Sequence, residues 1–228
     1  MQVLGILAKH PVPGGVKTRL AETIGAERAA ALAAAFLADL LDRFEHTADR
    51  RLLAFTPDTP AATGYFERRA ADRYDLWVQP SGSLGERLAA FFADQGRPGR
   101  QVVAIGADSP TLDRSIVRQA FEALRDHDVV LGPATDGGYY LVGLSANCPG
   151  LFEGIPWGTS GVYEATLERV NHAGRTLEVL PPCYDIDDAE DLARLSRACA
   201  TLKPVTPRWF PARTAALLRE DAAGASGT

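Results

Sequence analysis

Several cationic side chains cluster in the segment KHPVPGGVKTRL, residues 9–20, together with two prolines and two glycines. Gly14 and Gly15 let a backbone approach a ligand closely, while Lys17 and Arg19 offer a point charge and a fork of hydrogen-bond donors to phosphate oxygens. The spacing matches neither a Walker A loop nor a GxGxxG motif. The segment therefore predicts either a phosphate-binding loop or a solvated loop before an amphipathic helix.

Two acidic segments follow apolar runs, IGADSPTL at residues 105–112 and YDIDDAEDL at residues 184–192. Asp108 stands where a buried strand ends, so its carboxylate either caps the next turn or faces a cation. Asp185 and Asp187 alternate with apolar neighbours and share one face of the chain. A second carboxylate beside Asp108 would complete a site for a hard divalent cation such as Mg²⁺ or Mn²⁺.

A third segment, GPATDGGYYLVG at residues 132–143, contains an Asp-Gly-Gly turn between strand-like runs. An ordinary hairpin explains that turn, but one of the two adjacent tyrosines could line a pocket because neighbouring strand residues face opposite ways. The tryptophan of IPWGTSG, residues 155–161, belongs either to the pocket or to the core. The predicted substrate pocket comprises Asp136, Gly137, Gly138, Tyr139 and Trp157.

Other chemistries have little support in the residue pattern. The four histidines form no pair at metal-ligand spacing, and no Ser, His and Asp set indicates a hydrolase triad. Cys148, Cys183 and Cys199 contain no CxxC pair and are odd in number, which argues against a zinc site and a disulfide framework. A reducing compartment is consistent with these cysteines.

Charge and hydropathy also restrict the partners. The formal net charge is −5, without a long run of one sign, so we expect neither nucleic acid nor a membrane surface as a partner. No apolar stretch approaches the roughly 18 residues of a membrane span, and the N-terminal apolar run is too short for an export signal. The expected location is the cytoplasm.

Short apolar runs alternate with amphipathic segments along the chain. This alternation predicts one α/β domain with a mostly parallel central sheet and helices on both faces. A short antiparallel excursion is expected at residues 139–144, because that run follows the preceding strand too closely for a crossover. The predicted strands are residues 3–8, 51–56, 76–79, 101–106, 128–131, 139–144 and 177–180, and the predicted helices are residues 26–44, 61–71, 84–94, 114–125, 160–170 and 189–198.

The predicted domain covers residues 1–203. Residues 204–221 are expected to form a C-terminal extension packed on it. The small, polar residues 222–228 are expected to be a disordered tail.

Six segments in order resemble a bacterial family of GT-A-fold proteins, the arsenosugar-biosynthesis-type glycosyltransferases or DUF2064-like family, within the nucleotide-diphospho-sugar transferase superfamily. The resemblance spans residues 2 to about 198 and extends to phospholactate and molybdenum-cofactor guanylyltransferases and to CMP-sugar synthetases. The segments are AKHPVPGGVKTRL, SLGERLAAFF, IGADSPTL, GPATDGGYYLVGL, LFEGIPWGTSGVYEATL and DIDDAEDL.

The resemblance implies roles for particular residues. Asp108 and Asp187 would bind the metal, with Asp185, which shares a face with Asp187, as the substitute. Asp108 and Lys17 are expected to be catalytic, together with Asp136, whose Gly-Gly turn leaves room for a ligand beside the backbone. The residues implied for nucleotide and phosphate binding are Ala8, Lys9, Gly14, Gly15, Lys17, Arg19 and Gly85.

The implied activity is a magnesium-dependent transferase for a nucleotide-activated substrate and a small acceptor. Glycosyl transfer from a nucleotide sugar is the first expectation, nucleotidyl transfer from an NTP to a phosphorylated acceptor is the alternative, and an inactive nucleotide-binding module is a third. The Asp-x-Asp motif of metal-dependent glycosyltransferases is replaced here by Gly106-Ala107-Asp108, which lacks the first carboxylate. A homodimer is compatible with all three.

Overall fold

The computed structural model describes residues 1–201 and 210–225. Within these residues, strands and helices alternate along the chain as expected. The strands are β1 Gln2–Lys9, β2 Arg50–Thr56, β3 Asp75–Val78, β4 Gln101–Gly106, β5 Val129–Pro133, β6 Tyr139–Leu144 and β7 Leu177–Val179. The helices are α1 Thr18–Ile24, α2 Ala26–Phe44, α3 Pro60–Ala70, α4 Leu84–Gln95, α5 Arg114–Ala123, α6 Val162–His172, α7 Ala189–Thr201 and α8 Ala212–Ala225.

The strands form one seven-stranded sheet in the order β3-β2-β1-β4-β6-β5-β7. Strand β6 runs antiparallel to both of its neighbours, β4 and β5, while the other pairs are parallel. The predicted fold class and the antiparallel excursion are therefore confirmed. The carboxyl ends of β1 and β4 lie side by side, with the start of β6 next to them, because β6 runs the opposite way.

The two faces of the sheet carry separate apolar layers. Leu4 and Ile6 of β1 pack toward the layer that includes α2, α3 and α5, whereas Val3 packs toward the layer that includes α4. Both faces of β1 are covered, so its sequence is an almost continuous apolar run instead of an alternating one. This double covering fixes the strand ends that carry the site.

Local capping explains where two of these helices begin. Ser83 and Glu86 form a reciprocal capping box at α4, with the Ser83 N–H donating to Glu86 at 2.7 Å and the Glu86 N–H donating to Ser83 at 3.3 Å. Asp113 accepts from the Ser115 N–H at 2.7 Å and caps α5.

Helix α1 was not predicted from the sequence. It has seven residues, too few to establish a helical period, and it follows Lys17, which has φ of 49° and gives no side-chain cap. Left-handed backbone at a lysine is uncommon, so neither the period nor the cap signals that a helix begins here.

Helix α8 packs against α2. The buried Asp39 of α2 accepts from the N–H groups of Arg213 and Thr214, each at 2.9 Å, and from the Thr214 hydroxyl at 2.7 Å. Residues 222–225, the first part of the predicted tail, continue the backbone of α8, while residues 202–209 and 226–228 lie outside the described residues. No helix of the described chain has both the length and the apolar character needed to cross a membrane.

Candidate active site

A cleft of about 770 Å³ opens at the carboxyl edge of the parallel strands. It is lined by Leu7 of β1 and by Gly106 and Asp108, at and just beyond the end of β4. Tyr139 at the start of β6 and Trp157 before α6 also line it. The position agrees with the rule that ligands of open α/β sheets bind outside the carboxyl ends of the strands.

Four charged residues from distant parts of the chain meet at one end of the cleft. The Lys17 ammonium forms ion pairs with Asp108 and, at 3.0 Å, with Asp187, while Arg19 contacts the second oxygen of Asp187 at 3.1 Å. The Lys17 side chain is 4% exposed, whereas that of Asp108 is 54% exposed. The buried cation thus holds two carboxylates that remain open to the cleft.

The electrostatic balance at Lys17 is decided by its neighbours. Burial alone would lower the pKa of the Lys17 ammonium, but the carboxylates of Asp108 and Asp187 outweigh burial and raise that pKa above its usual value. The lysine therefore stays protonated at neutral pH and provides a fixed positive charge beside the cleft.

A small apolar cluster holds the two charged segments together. Leu20 of α1 and Ile186, which lies between Asp185 and Asp187, are both fully buried against Phe36 of α2. The Ile186 N–H also donates to the Asp108 carbonyl at 3.1 Å. Burial of two apolar side chains thus brings the cations of one segment to the acids of another, about 170 residues away in sequence.

Asp185 has different surroundings from Asp187. Its carboxylate accepts a hydrogen bond from the buried Ser109 hydroxyl, and burial raises the pKa of Asp185 to about 6. Sequence analysis did not single out Ser109. Asp185 also lines the cleft, but its contact is to Ser109, while Lys17 contacts Asp187.

Two loops meet at the cleft where β6 begins. The Asp136 carboxylate accepts from the Gly138 N–H at 2.9 Å, so this turn is a β5–β6 hairpin, yet Asp136 also lines the cleft. Gly137 has φ of 90°, and a Cβ there would lie 2.1 Å from the Ser160 carbonyl oxygen. Only glycine satisfies both conditions, which explains the glycine at position 137.

Trp157 and Tyr139 form the aromatic wall of the cleft, with their rings edge-on and 6.1 Å apart between centroids. Gly85, at the start of α4, lies beneath the indole. A Cβ at that position would be 2.3 Å from Trp157 Nε1 and 2.8 Å from the Phe152 carbonyl oxygen. The glycine therefore makes room for Trp157.

Of the residues assigned to phosphate binding from the sequence, Arg19 lines this cleft, whereas Ala8, Lys9, Gly14, Gly15, Lys17 and Gly85 do not. Ala8 is buried with its carbonyl accepting from Gln79 at 3.4 Å, Lys9 is exposed, and Gly15 packs close to Val12. Conversely, sequence analysis missed Leu84, Leu88, Thr159 and Ser160, which do line it. Leucine, threonine and serine are common throughout the chain, so only the position of these residues in the structure shows that they line the cleft.

We expect Gly85→Ala to lower the free energy of unfolding by about 1 to 3 kcal/mol, since the methyl group overpacks the contact with Trp157. Urea denaturation measures the change. Gly64→Ala in α3 is the matched control, because its Cβ would meet only the Arg68 side chain, at 3.5 Å, and alanine favours a helix. Equal stability of the Gly85→Ala and Gly64→Ala proteins would contradict the packing argument.

Comparison with protein families shows which family the chain belongs to. The model of a bacterial family described as "Uncharacterized protein conserved in bacteria (DUF2064)" matches residues 40–159, more than half of the sequence. The chain belongs to this family. Among curated proteins, it is 34% identical over 143 residues to 3-phospho-D-glycerate guanylyltransferase of Phenylobacterium zucineum. That match takes in 59% of the chain, which spans 63% of the relative's length.

Solved structures extend the likeness to nearly the whole chain. A Desulfovibrio desulfuricans protein, provisionally named a nucleotide-diphospho-sugar transferase, is 33% identical with a TM-score of 0.87 and covers 97% of this chain and 95% of its own. A nucleotidyl transferase from Methanothermobacter thermautotroptrophicus has a TM-score of 0.58 at 14% identity, over 87% and 97% of the two chains, and shares the fold alone. The comparisons confirm the expected family and GT-A-like fold and support a transferase.

Proposed function

We propose that this chain is a nucleotidyltransferase that joins the nucleotidyl group of an NTP to a small phosphorylated acceptor. An oxygen of the acceptor phosphate attacks the α-phosphorus, the bond from that phosphorus to the bridging β-phosphate oxygen breaks, and pyrophosphate leaves. The observation that carries this proposal is the convergence of Lys17 and Arg19 with Asp108 and Asp187 at one end of the cleft. The relative named as a guanylyltransferase supports it.

Two cations beside a cleft suit a triphosphate, whose charge must be neutralised as pyrophosphate leaves. The Arg19 side chain lines the cleft and is 64% exposed, so its planar guanidinium is open to phosphate oxygens as well as to Asp187. Lys17 is buried and paired with Asp108 and Asp187, so it supplies a positive charge beside the cleft. Arg19 would bind and orient the phosphates in the field of Lys17, while Trp157 and Tyr139, which also line the cleft, limit the space left for the acceptor.

The acidic pair fits a divalent cation. The Lys17 ammonium contacts both Asp108 and Asp187, so their carboxylates already converge on one cation. No group of three potential metal-ligating side chains occurs within residues 1–201 and 210–225, and Mg²⁺ commonly takes only one or two carboxylates with phosphates and water. Asp108 and Asp187 would hold the ion, which would withdraw charge from the leaving pyrophosphate.

Glycosyl transfer, the reaction placed first by the sequence, is the second candidate, supported by the name of the Desulfovibrio relative. The curated relative supports nucleotidyl transfer instead. Gly106 also supports nucleotidyl transfer. A Cβ at this position would meet no atom within 4 Å, so a side chain has room there, yet the glycine supplies no carboxylate to the cleft. Nucleotidyl transfer is therefore the better-supported proposal.

Pyrophosphate release distinguishes these reactions. With Mg²⁺ and 3-phosphoglycerate, the compound in the relative's name, we expect the protein to release pyrophosphate from an NTP. We expect the fastest release from GTP. A pyrophosphatase-coupled phosphate assay across the four NTPs and a panel of small phosphorylated acceptors measures it. Release of nucleoside diphosphate from a nucleotide sugar, without pyrophosphate from any NTP, would favour glycosyl transfer; nucleotide binding without any turnover would favour an inactive module.

A further inference from the structure

Arg43, in the last turn of α2, has a buried side chain outside the charged cluster of the cleft. Its Nη1 donates to the carbonyl oxygens of Pro110 at 2.6 Å and of Leu112 at 3.0 Å. No backbone N–H of the described residues donates to either carbonyl. A buried carbonyl group without a hydrogen-bond donor destabilises the fold. The Arg43 guanidinium therefore stabilises this irregular segment by donating to two of its carbonyl groups.

The segment that Arg43 holds, residues 107–112, also carries the acidic side of the site. Asp108 is its second residue, and the Asp108 carbonyl accepts from the Ile186 N–H at 3.1 Å. Ser109 follows, with its hydroxyl donating to Asp185. A shift of this segment would therefore move Asp108 and disturb the contacts that carry Asp185 and Asp187.

The charge state of Arg43 is compatible with this arrangement. Burial lowers the pKa of Arg43 to about 10, opposed by the nearby carboxylates of Asp39 and Asp113 and assisted by Arg114. Arg114 in turn donates through Nε to the Arg43 carbonyl at 2.8 Å. Arg43 at the end of α2 thus binds residues 107–112, and Arg114 at the start of α5 binds the backbone of Arg43.

We propose that Arg43 is a positioning residue that fixes residues 107–112 so that Asp108 lies beside Asp187 at the cleft. The inference rests on the proposed nucleotidyl transfer for its functional meaning, but its structural part can be tested without turnover. The competing explanation is that Arg43 only adds stability to the core, in which case its loss would loosen the protein evenly.

Hydrogen exchange in the protein without ligands separates these explanations. In Arg43→Met, which keeps an unbranched side chain but no donors, we expect amides of residues 105–113 and 181–187 to exchange about tenfold faster, while β2 and α3 keep the wild-type rate. Tyr74→Phe is the control, because the Tyr74 hydroxyl donates to the Leu41 carbonyl at 2.7 Å in the same helix and touches neither acidic segment. Tyr74→Phe should leave the exchange rates of residues 105–113 and 181–187 at their wild-type values.

The magnesium dependence of pyrophosphate release gives the functional measurement. We expect Arg43→Met to raise the Mg²⁺ concentration for half-maximal turnover by about tenfold, the usual scale for residues that orient metal ligands, with Tyr74→Phe like the wild type. If Arg43→Met does not fold, both measurements are made on Arg43→Lys. Its point charge on a shorter side chain should not hold both carbonyl oxygens, so the same local changes, smaller in size, are expected.

A uniform rise in exchange across the protein, or wild-type exchange at residues 105–113 in a folded variant, would overturn the positioning role. A wild-type magnesium dependence in an active variant would do so as well. Local loosening in a protein that releases no pyrophosphate would leave the positioning role standing and count against the proposed function. The two failures are therefore distinguishable.

Discussion

Replacing Asp108 and Asp187 together by asparagine is expected to reduce turnover by about 10³-fold, because neither side chain then offers the negative charge that holds a divalent cation against the phosphates. Asparagine keeps an oxygen for the buried Lys17 ammonium, so the protein should remain folded. Pyrophosphate release at saturating NTP and Mg²⁺ measures the loss, and circular dichroism checks the fold.

Asp188→Asn is the matched control for this experiment. Asp188 follows Asp187 directly, but its carboxylate caps α7 by accepting from the N–H groups of Glu190 at 2.9 Å and Asp191 at 3.1 Å. Asparagine caps a helix about as well as aspartate, so turnover should persist. If the Asp108 and Asp187 double variant kept more than about a tenth of wild-type turnover, the electrostatic role assigned to this pair would be wrong.

The second large effect is expected at Lys17. Lys17→Met should weaken nucleotide binding by about 1.5 to 3 kcal/mol, or about tenfold to 150-fold in Kd, the scale of a hydrogen bond to a charged group. Methionine has a similar length and meets the same left-handed backbone, so the change isolates the charge. Isothermal titration calorimetry of NTP binding with Mg²⁺ provides the measurement.

Lys9→Met tests whether the position of the cation matters. Lys9 belongs to the same cationic segment, but it is exposed at the end of β1, whereas Lys17 is buried and paired with Asp108 and Asp187. We expect its loss to change Kd by less than about threefold, as for an exposed surface charge. An equal loss in Lys9→Met and Lys17→Met would mean that general positive charge, and not the buried lysine, binds the nucleotide.

Much of the fold follows from local patterns. Apolar runs of strand length, bounded by glycine and proline, match the seven strands to within two residues at either end, and the close spacing before Tyr139 indicates the antiparallel β6. These signals are local because side-chain period and turn chemistry act over a few residues. Helix α1 has neither a clear side-chain period nor a capping residue, so the sequence does not predict it.

Part of the candidate site also follows from sequence. A carboxylate that ends an apolar strand must lie at the carboxyl edge of a parallel sheet, which places Asp108 there. Asp185 and Asp187 do not end a strand, because β7 ends at Val179, and the loop after β7 brings Asp187 to Lys17 beside Asp108. The types of these residues identify them as candidates. Their spacing in sequence does not say which of the two later aspartates contacts Lys17.

The sequence by itself determined the α/β class, the order of the elements and the set of acids and cations at one sheet edge, because those depend on periodicity and on residue type. Only the tertiary structure decided that Lys17 and not Lys9 is buried between two carboxylates, that Gly85 accommodates Trp157, and that Arg43 holds the segment of Asp108. Such choices depend on burial and on donors and acceptors that meet across long separations, and no local pattern encodes them.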